Sequence, residues 1–197
     1  MKSKSDLPTA VVCAAGCASR FDGLKQTEKV DGQPALQHVL DSLLAAQHPL
    51  EVVVVLGCQA ERIKQQIDFY NFDVVINDAW KSGLSTSVQL GVKNASIQAP
   101  GYLFLLADML LVKTEIIEEV IHKGLTGGSI VAPSYEGKRG FPVYFDKKWR
   151  DQLINKPSGD EGGRAIIRDN REELTLLETD DKTIILDIDT RADLEEL

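Results

Sequence analysis

Short apolar runs alternate with segments of helical periodicity from residue 10 to residue 123, and this rhythm leaves few architectures open. Ala10 to Ala14 and Glu51 to Leu56 read as buried strands, the first covered on both faces, and Asp73 to Ile76 and Tyr102 to Leu106 read as two further strands. Between them, Leu36, Val39, Leu40, Leu43 and Leu44 share one face of a helix opened by Gln33-Pro34, and Ile63 and Ile67 mark a second helix. Leu84 to Ala95 forms a third, and Thr114 to Lys123 a fourth carrying Ile116, Ile117, Val120 and Ile121. Such alternation implies an α/β fold in three layers, a mostly parallel central sheet covered by helices on both faces. Ligands of such sheets bind beyond the carboxyl ends of the strands.

From Gly127 the rhythm changes. Strands are expected at Ile130 to Pro133 and Pro142 to Phe145, helices at Lys147 to Ile154 and Glu161 to Asp169, strands at Leu174 to Leu177 and Thr183 to Leu186, and a last helix from Thr190. Residues 1–8 read as a flexible tail and 9–197 as a single domain, since no linker divides the chain. With 43% hydrophobic and 26% charged residues the chain is neither disordered nor fibrous.

A net charge of -8, from 22 Lys and Arg against 30 Asp and Glu, argues against diffuse attraction to nucleic acid. An anionic ligand must then be held by a local group of cations. No window reaches membrane-span length, and a lipoprotein-like Ala14-Ala15-Gly16-Cys17 follows too short an apolar run to be a leader. Cys13, Cys17 and Cys58 show neither C-x-x-C spacing nor an even count, so a cytoplasmic protein with reduced, buried thiols is expected. His38, His48 and His122 have no spacing that would make a metal cluster.

The stretch Thr9 to Lys25 carries the first sign of chemistry. A buried strand runs into the small residues Ala14, Ala15, Gly16 and Ala18, which let backbone N–H groups approach a phosphate, and Arg20 and Lys25 add charge. It is neither a Walker loop nor a G-x-G-x-x-G turn. The sequence C-A-A-G-C-A-S-R-F-D-G-L-K resembles the signature of the MobA/MocA-like nucleotidyltransferases, approximately L-A-A/G-G-x-S-x-R-M/F-G-x-x-K, with Gly16, Arg20, Phe21 and Lys25 at matching spacings. Ala18 and Asp22 stand where relatives have Ser and Gly, with Ser19 beside the first.

Five further stretches match in order. Asn77 to Ser87 is similar to N-x-x-W-x-x-G-x-x-x-S, and Leu105 to Asp108 to L-x-D-x-P with Met109-Leu110 in place of Gln-Pro. Arg139-Gly140-Phe141-Pro142-Val143 is like R-G-H-P-V, with Phe141 replacing His. Gly159-Asp160-Glu161-Gly162-Gly163-Arg164 is close to the G-D-x-G-A/G-R of the MocA branch. Asp187-Ile188-Asp189-Thr190 is similar to D-I-D-T-P-x-D-L. Read from the residues alone, Ser85 or Thr86 could simply cap a helix, Asp108 could be a cap or turn residue, and Asp160 is a good N-cap.

The resemblance implies a Rossmann-like nucleotidyltransferase fold and a division of labour. Arg20, Lys25 and Asp108 would be catalytic. The nucleotide would meet Ala14, Ala15, Gly16, Ser19, Arg20, Lys25, Asn77, Gly83, Ser85 and Ser87, and Asp108 and Asp189 would hold Mg²⁺, or Mn²⁺ in its place. The acceptor would meet Arg139, Gly140, Phe141, Pro142, Asp160 and Arg164. The implied reaction moves NMP, CMP from CTP by the lean of Ala14-Ala15-Gly16 and G-D-x-G-x-R towards the MocA branch, onto the terminal phosphate of molybdopterin with release of pyrophosphate. A target molybdoenzyme would be the partner. A sugar- or polyol-phosphate nucleotidyltransferase, or a non-catalytic carrier of the molybdenum cofactor, are the alternatives.

Overall fold

A computed structural model describes residues 6–17 and 24–186. In chain order the regular elements are β1 (Thr9–Ala14), β2 (Lys29–Val30), β3 (Gln33–Pro34), α1 (Ala35–Leu44), β4 (Glu51–Leu56), α2 (Ala60–Lys64), β5 (Asp73–Ile76) and α3 (Leu84–Asn94). They are followed by β6 (Gly101–Leu106), α4 (Thr114–Leu125), β7 (Ile130–Tyr135), β8 (Lys138–Arg139), β9 (Val143–Asp146), α5 (Arg150–Asn155), α6 (Arg164–Asp169) and β10 (Leu174–Glu178).

The main sheet runs β10-β7-β9-β6-β1-β4-β5, with β8 paired to β7. Strands β5, β4, β1 and β6 are mutually parallel, β10 is parallel to β7, and β9 lies antiparallel between β6 and β7. This is the mostly parallel α/β sheet that the alternating pattern implies.

The period of two along β1 builds the layers. Ala10, Val12 and Ala14 join Val52, Val54 and Leu56 in a core closed by Leu36, Leu40 and Leu43 of α1 and Ile117 and Ile121 of α4. Val11, Cys13 and Ala15 face the other way, with Val53, Val55 and Phe104, against Val88 and Val92 of α3, Leu153 of α5 and Ile166 of α6. Helix α3 comes so near the sheet that a Cβ at Gly91 would stand 2.2 Å from Val11 Cγ1, so only glycine permits this approach.

Several boundaries differ from expectation. Gln33 and Pro34 form a short antiparallel strand with Lys29 and Val30, and the helix begins only at Ala35. Thr183 to Leu186, read as a strand, is instead a turn of 3-10 helix over Lys182–Ile185, because the Asp181 carboxylate accepts from Thr183 N at 3.0 Å. The segment from Glu161 turns helical only at Arg164, after Gly162 at φ 54°. Residues 147–149 make a 3-10 turn before α5. Cys17 and Cys58 are joined in a disulfide, which corrects the expectation of three reduced thiols. They follow the adjacent parallel strands β1 and β4, which bring their Cα atoms to 5.4 Å, a fact of sheet order that cysteine spacing does not report. The tail residues 1–5 and the expected helix from Thr190 lie outside the described residues.

Candidate active site

Strands β1 and β6 run side by side in parallel, so their carboxyl ends open on the same edge of the sheet. Residues following them, Ala15, Gly16 and Cys17 after β1 and Ala107 and Asp108 after β6, line a cavity of about 400 Å³. Lys25, Trp80, Gly83, Ser87 and Asp160 complete its wall.

The loop after β1 is tied by its carbonyls. Ala14 O and Gly16 O both accept from Gln26 Nε2, at 3.0 and 2.7 Å, and Ala15 O accepts from Cys58 N at 2.9 Å. The N–H groups of Ala15, Gly16 and Cys17 donate to no acceptor among the described residues. Backbone donors left over beside a cavity in this way are suited to an anion.

Opposite them, Lys25 Nζ sits 2.9 Å from Asp108 Oδ2, with the two side chains 13% and 24% exposed. Asp108 Oδ1 is buried and has no hydrogen-bond partner among the described residues. A half-satisfied carboxylate facing a polar cavity is a hard oxygen donor with capacity for a cation. Among the described residues no group of three or more His, Cys, Asp or Glu could hold a metal without help from a substrate.

The second motif divides on inspection. Gly83 and Ser87 line the cavity. Asn77 is spent internally: its Nδ2 donates to Thr86 Oγ1 at 2.8 Å and Ser87 Oγ at 3.0 Å, while its Oδ1 accepts from Ala79 N at 3.0 Å. Ser85 is buried, its N donating to Gly159 O at 2.9 Å and its Oγ accepting from Gly162 N at 3.2 Å. Both residues shape the wall without forming it.

Asp160 does not cap the helix that follows it. Its Oδ1 accepts from Leu84 N at 3.1 Å, so it caps α3, 76 residues away, and stands in the cavity wall. Gly83, at φ 101° with a would-be Cβ 2.3 Å from Gly159 O, makes that contact possible.

A narrower, apolar slot adjoins the cavity through Cys13, Leu84 and Leu106 and is closed by Phe104, Phe141, Phe145 and Ile167. Arg139 and Arg164 reach into it. Desolvation, and secondarily the neighbouring charge of Arg164, lowers the pKa of the Arg139 guanidinium, and neither arginine has a carboxylate partner among the described residues. Two cations sharing an apolar slot create a demand for an anion. Of the other residues expected here, Gly140 and Pro142 flank Phe141 without lining the slot. Burial pushes the Cys13 thiol up to about 12, which leaves it no nucleophilic form near neutrality.

Ser19, Arg20 and Asp189 lie outside the described residues. Sequence reasoning missed Gln26 and Cys58. Neither belongs to a recognisable spacing, and only the fold shows that both serve the loop.

Residues 10–175 match the model of the MobA-like NTP transferase domain. The chain belongs to this family. It is a nucleotidyltransferase, and the cavity beyond β1 and β6 lies where such a sheet places its ligands. Among similar proteins, nicotine blue oxidoreductase of Paenarthrobacter nicotinovorans is 26% identical over 94% of this chain and 95% of its own. Rv0371c of Mycobacterium tuberculosis superimposes with a TM-score of 0.86 at 23% identity, over 100% of this chain and 98% of the other, and a second structure of that protein is a complex with manganese. A nucleotidyl transferase from Methanothermobacter superimposes with a TM-score of 0.82 at 18% identity over 96% and 95%. These structures share the fold of this chain. No described helix is long and apolar enough to cross a membrane.

Proposed function

We propose that the protein transfers CMP from CTP to the terminal phosphate of molybdopterin and releases pyrophosphate. The observation that carries the reading is the meeting in one cavity of a loop whose N–H groups have no acceptor among the described residues and the Lys25–Asp108 pair, next to a slot with two arginines that lack a carboxylate partner among the described residues. The loop after β1 and Lys25 would receive the triphosphate, and Arg139 and Arg164 the anionic acceptor. Phe141, half-buried at the slot, would face the flat, apolar part of a pterin. A phosphate oxygen of the acceptor attacks the α-phosphorus, the bond from that phosphorus to the bridging oxygen breaks, and pyrophosphate leaves with the electron pair. The acceptor is already ionised near neutral pH, so no general base is needed, in keeping with the raised pKa of Cys13. The chain's own contribution is alignment and charge compensation.

Asp108 fits a divalent cation through its unpartnered Oδ1, and with Asp189 it would hold Mg²⁺, or Mn²⁺ in its place. Bound there, the ion would neutralise phosphate charge. A molybdoenzyme would be the partner that receives the product.

The test is incubation with Mg²⁺, molybdenum cofactor and CTP, GTP or ATP in turn, following pyrophosphate and dinucleotide. CTP is expected to give both products. The relative named nicotine blue oxidoreductase favours a second reading, a redox reaction in the same cavity. Reduction of nicotine blue by a nicotinamide dinucleotide, with no pyrophosphate from any triphosphate, would select it.

A further inference from the structure

Gln26 lies on the 3-10 turn Lys25–Thr27, is 5% exposed, and lines the nucleotide cavity. Its amide spends both hydrogens on the loop after β1, one on Ala14 O at 3.0 Å and one on Gly16 O at 2.7 Å. Rotating the amide by half a turn would set its oxygen against two carbonyl oxygens, so the hydrogen bonds fix which end faces the loop. The cost appears on the other side, where Gln26 Oε1 is buried without a partner among the described residues. A buried amide oriented at the expense of its own oxygen marks a position kept for what its nitrogen does.

A trans peptide is planar, and its carbonyl and N–H point in opposite directions. Holding Ala14 O and Gly16 O therefore fixes the N–H groups of Ala15 and Cys17 on the side of the loop away from Gln26. Those two residues line the cavity, and their N–H groups have no acceptor among the described residues.

We propose that Gln26 is the positioning residue for the triphosphate: it locks two peptide planes of the loop so that Ala15 N–H and Cys17 N–H are held ready for phosphate oxygens. Resting on the nucleotidyl-transfer reading, the inference assigns to a residue outside the loop the control of its donor geometry. The contribution is a lower cost of ordering on binding, so it falls on nucleotide affinity and not on the base that is chosen.

Calorimetric titration with CTP, GTP and ATP, each with Mg²⁺, tests it. Gln26→Leu should weaken every triphosphate that the wild-type chain binds by about tenfold, the equivalent of one well-made hydrogen bond. Gln26→Glu should bind as poorly at pH 8, where a carboxylate opposes both carbonyls. Burial against two carbonyl oxygens disfavours the ionised carboxyl at this position, so the variant's deficit relative to wild type should shrink to about threefold at pH 5.5, where the protonated acid restores one of the two donors. Lys25, Asp108 and Asp160 line the same cavity and are present in both proteins, so the ratio isolates position 26. If Gln26→Leu does not fold, the Gln26→Glu ratio decides alone. A wild-type chain that binds one triphosphate while both variants match it overturns the positioning role only. A wild-type chain that binds none overturns the nucleotidyl reading as well.

Discussion

The two halves of the site handle charge in opposite ways. On the β1 and β6 side the one cation described, Lys25, is neutralised by Asp108, and the loop carbonyls are tied to Gln26 and Cys58. On the β8 and α6 side Arg139 and Arg164 share an apolar slot whose described carboxylate, Glu161, is paired with Arg168 at 3.1 Å and with neither of them. The first half is at rest without a ligand and must exchange an internal ion pair for a phosphate. The second is strained by like charge and is relieved by an anion. Mutations should therefore cost the first half function with little change in stability, and should cost the second half function while leaving stability equal or higher.

The largest effect is expected at Lys25. Lys25→Ala removes the cation from the nucleotide half, and turnover should fall on the order of 10²–10³-fold, as for loss of a donor at a developing charge. Initial rates of pyrophosphate release measure it. Asp108→Asn should abolish metal-dependent nucleotide binding by calorimetry, with the melting temperature nearly kept. A large fall in melting temperature with either change would show that the ion pair stabilises the fold and would break the contrast.

Gly83→Ala comes next, and it tests the contact between the start of α3 and the Gly159 turn, where Asp160 caps α3 from a distance. The added Cβ would lie 2.3 Å from Gly159 O at a backbone angle that L residues avoid. About 3 kcal/mol of stability should be lost, read by urea denaturation. A change below about 0.5 kcal/mol, the size of an ordinary surface substitution, would show that the Gly159 turn moves aside freely.

Much of this could be read from the sequence, and the reason lies in what each signal encodes. The runs at Glu51 to Leu56 and Asp73 to Ile76 match β4 and β5 residue for residue; β4 is buried throughout and needs only apolar side chains and a boundary, while β5, the half-exposed edge strand, shows the same apolar run between polar flanks. Lys25 and Asp108 were singled out by motif, and the fold brings their side chains together across 83 residues. Thr183 to Leu186 misled, since its apolar pattern is overridden by a local bond from Asp181 that periodicity does not register. Asn77 and Ser85 were assigned to the nucleotide, while the fold uses their polar atoms to hold the wall. The Cys17–Cys58 link and the Gln26 brace were illegible because each depends on which strands are neighbours, a fact of topology and not of spacing.

On the acceptor half, Arg139→Leu should lower kcat/KM for the acceptor about tenfold through the loss of one charge-assisted contact to the acceptor. The same change removes a desolvated cation from beside Arg164, so the melting temperature should hold or rise. Initial rates are read with saturating CTP and varied molybdenum cofactor, where the loss should appear in KM for the acceptor. A fall in melting temperature together with unchanged kcat/KM would make Arg139 a structural residue and erase the difference between the halves.

The smallest effect concerns Cys13, which sits at the boundary between the two halves and lines both the cavity and the slot. Burial lifts its thiol from 9.0 to about 12, so the folded state keeps the proton over a range where the unfolded chain gives it up. The stability from this thiol is complete below pH 9 and is lost as pH rises from 9 towards 12. At pH 10 the loss should be on the order of 1 kcal/mol relative to pH 7. Lysines and tyrosines titrate in the same window, so the measurement is the difference between wild type and Cys13→Ala in urea denaturation at pH 7 and pH 10, with the disulfide intact. The variant should lack that share of the alkaline loss and keep its rate of pyrophosphate release at pH 7, because a protonated thiol between two binding sites takes no part in the transfer. If the variant loses its activity at pH 7, Cys13 shapes the passage between nucleotide and acceptor, and the two halves are coupled through it.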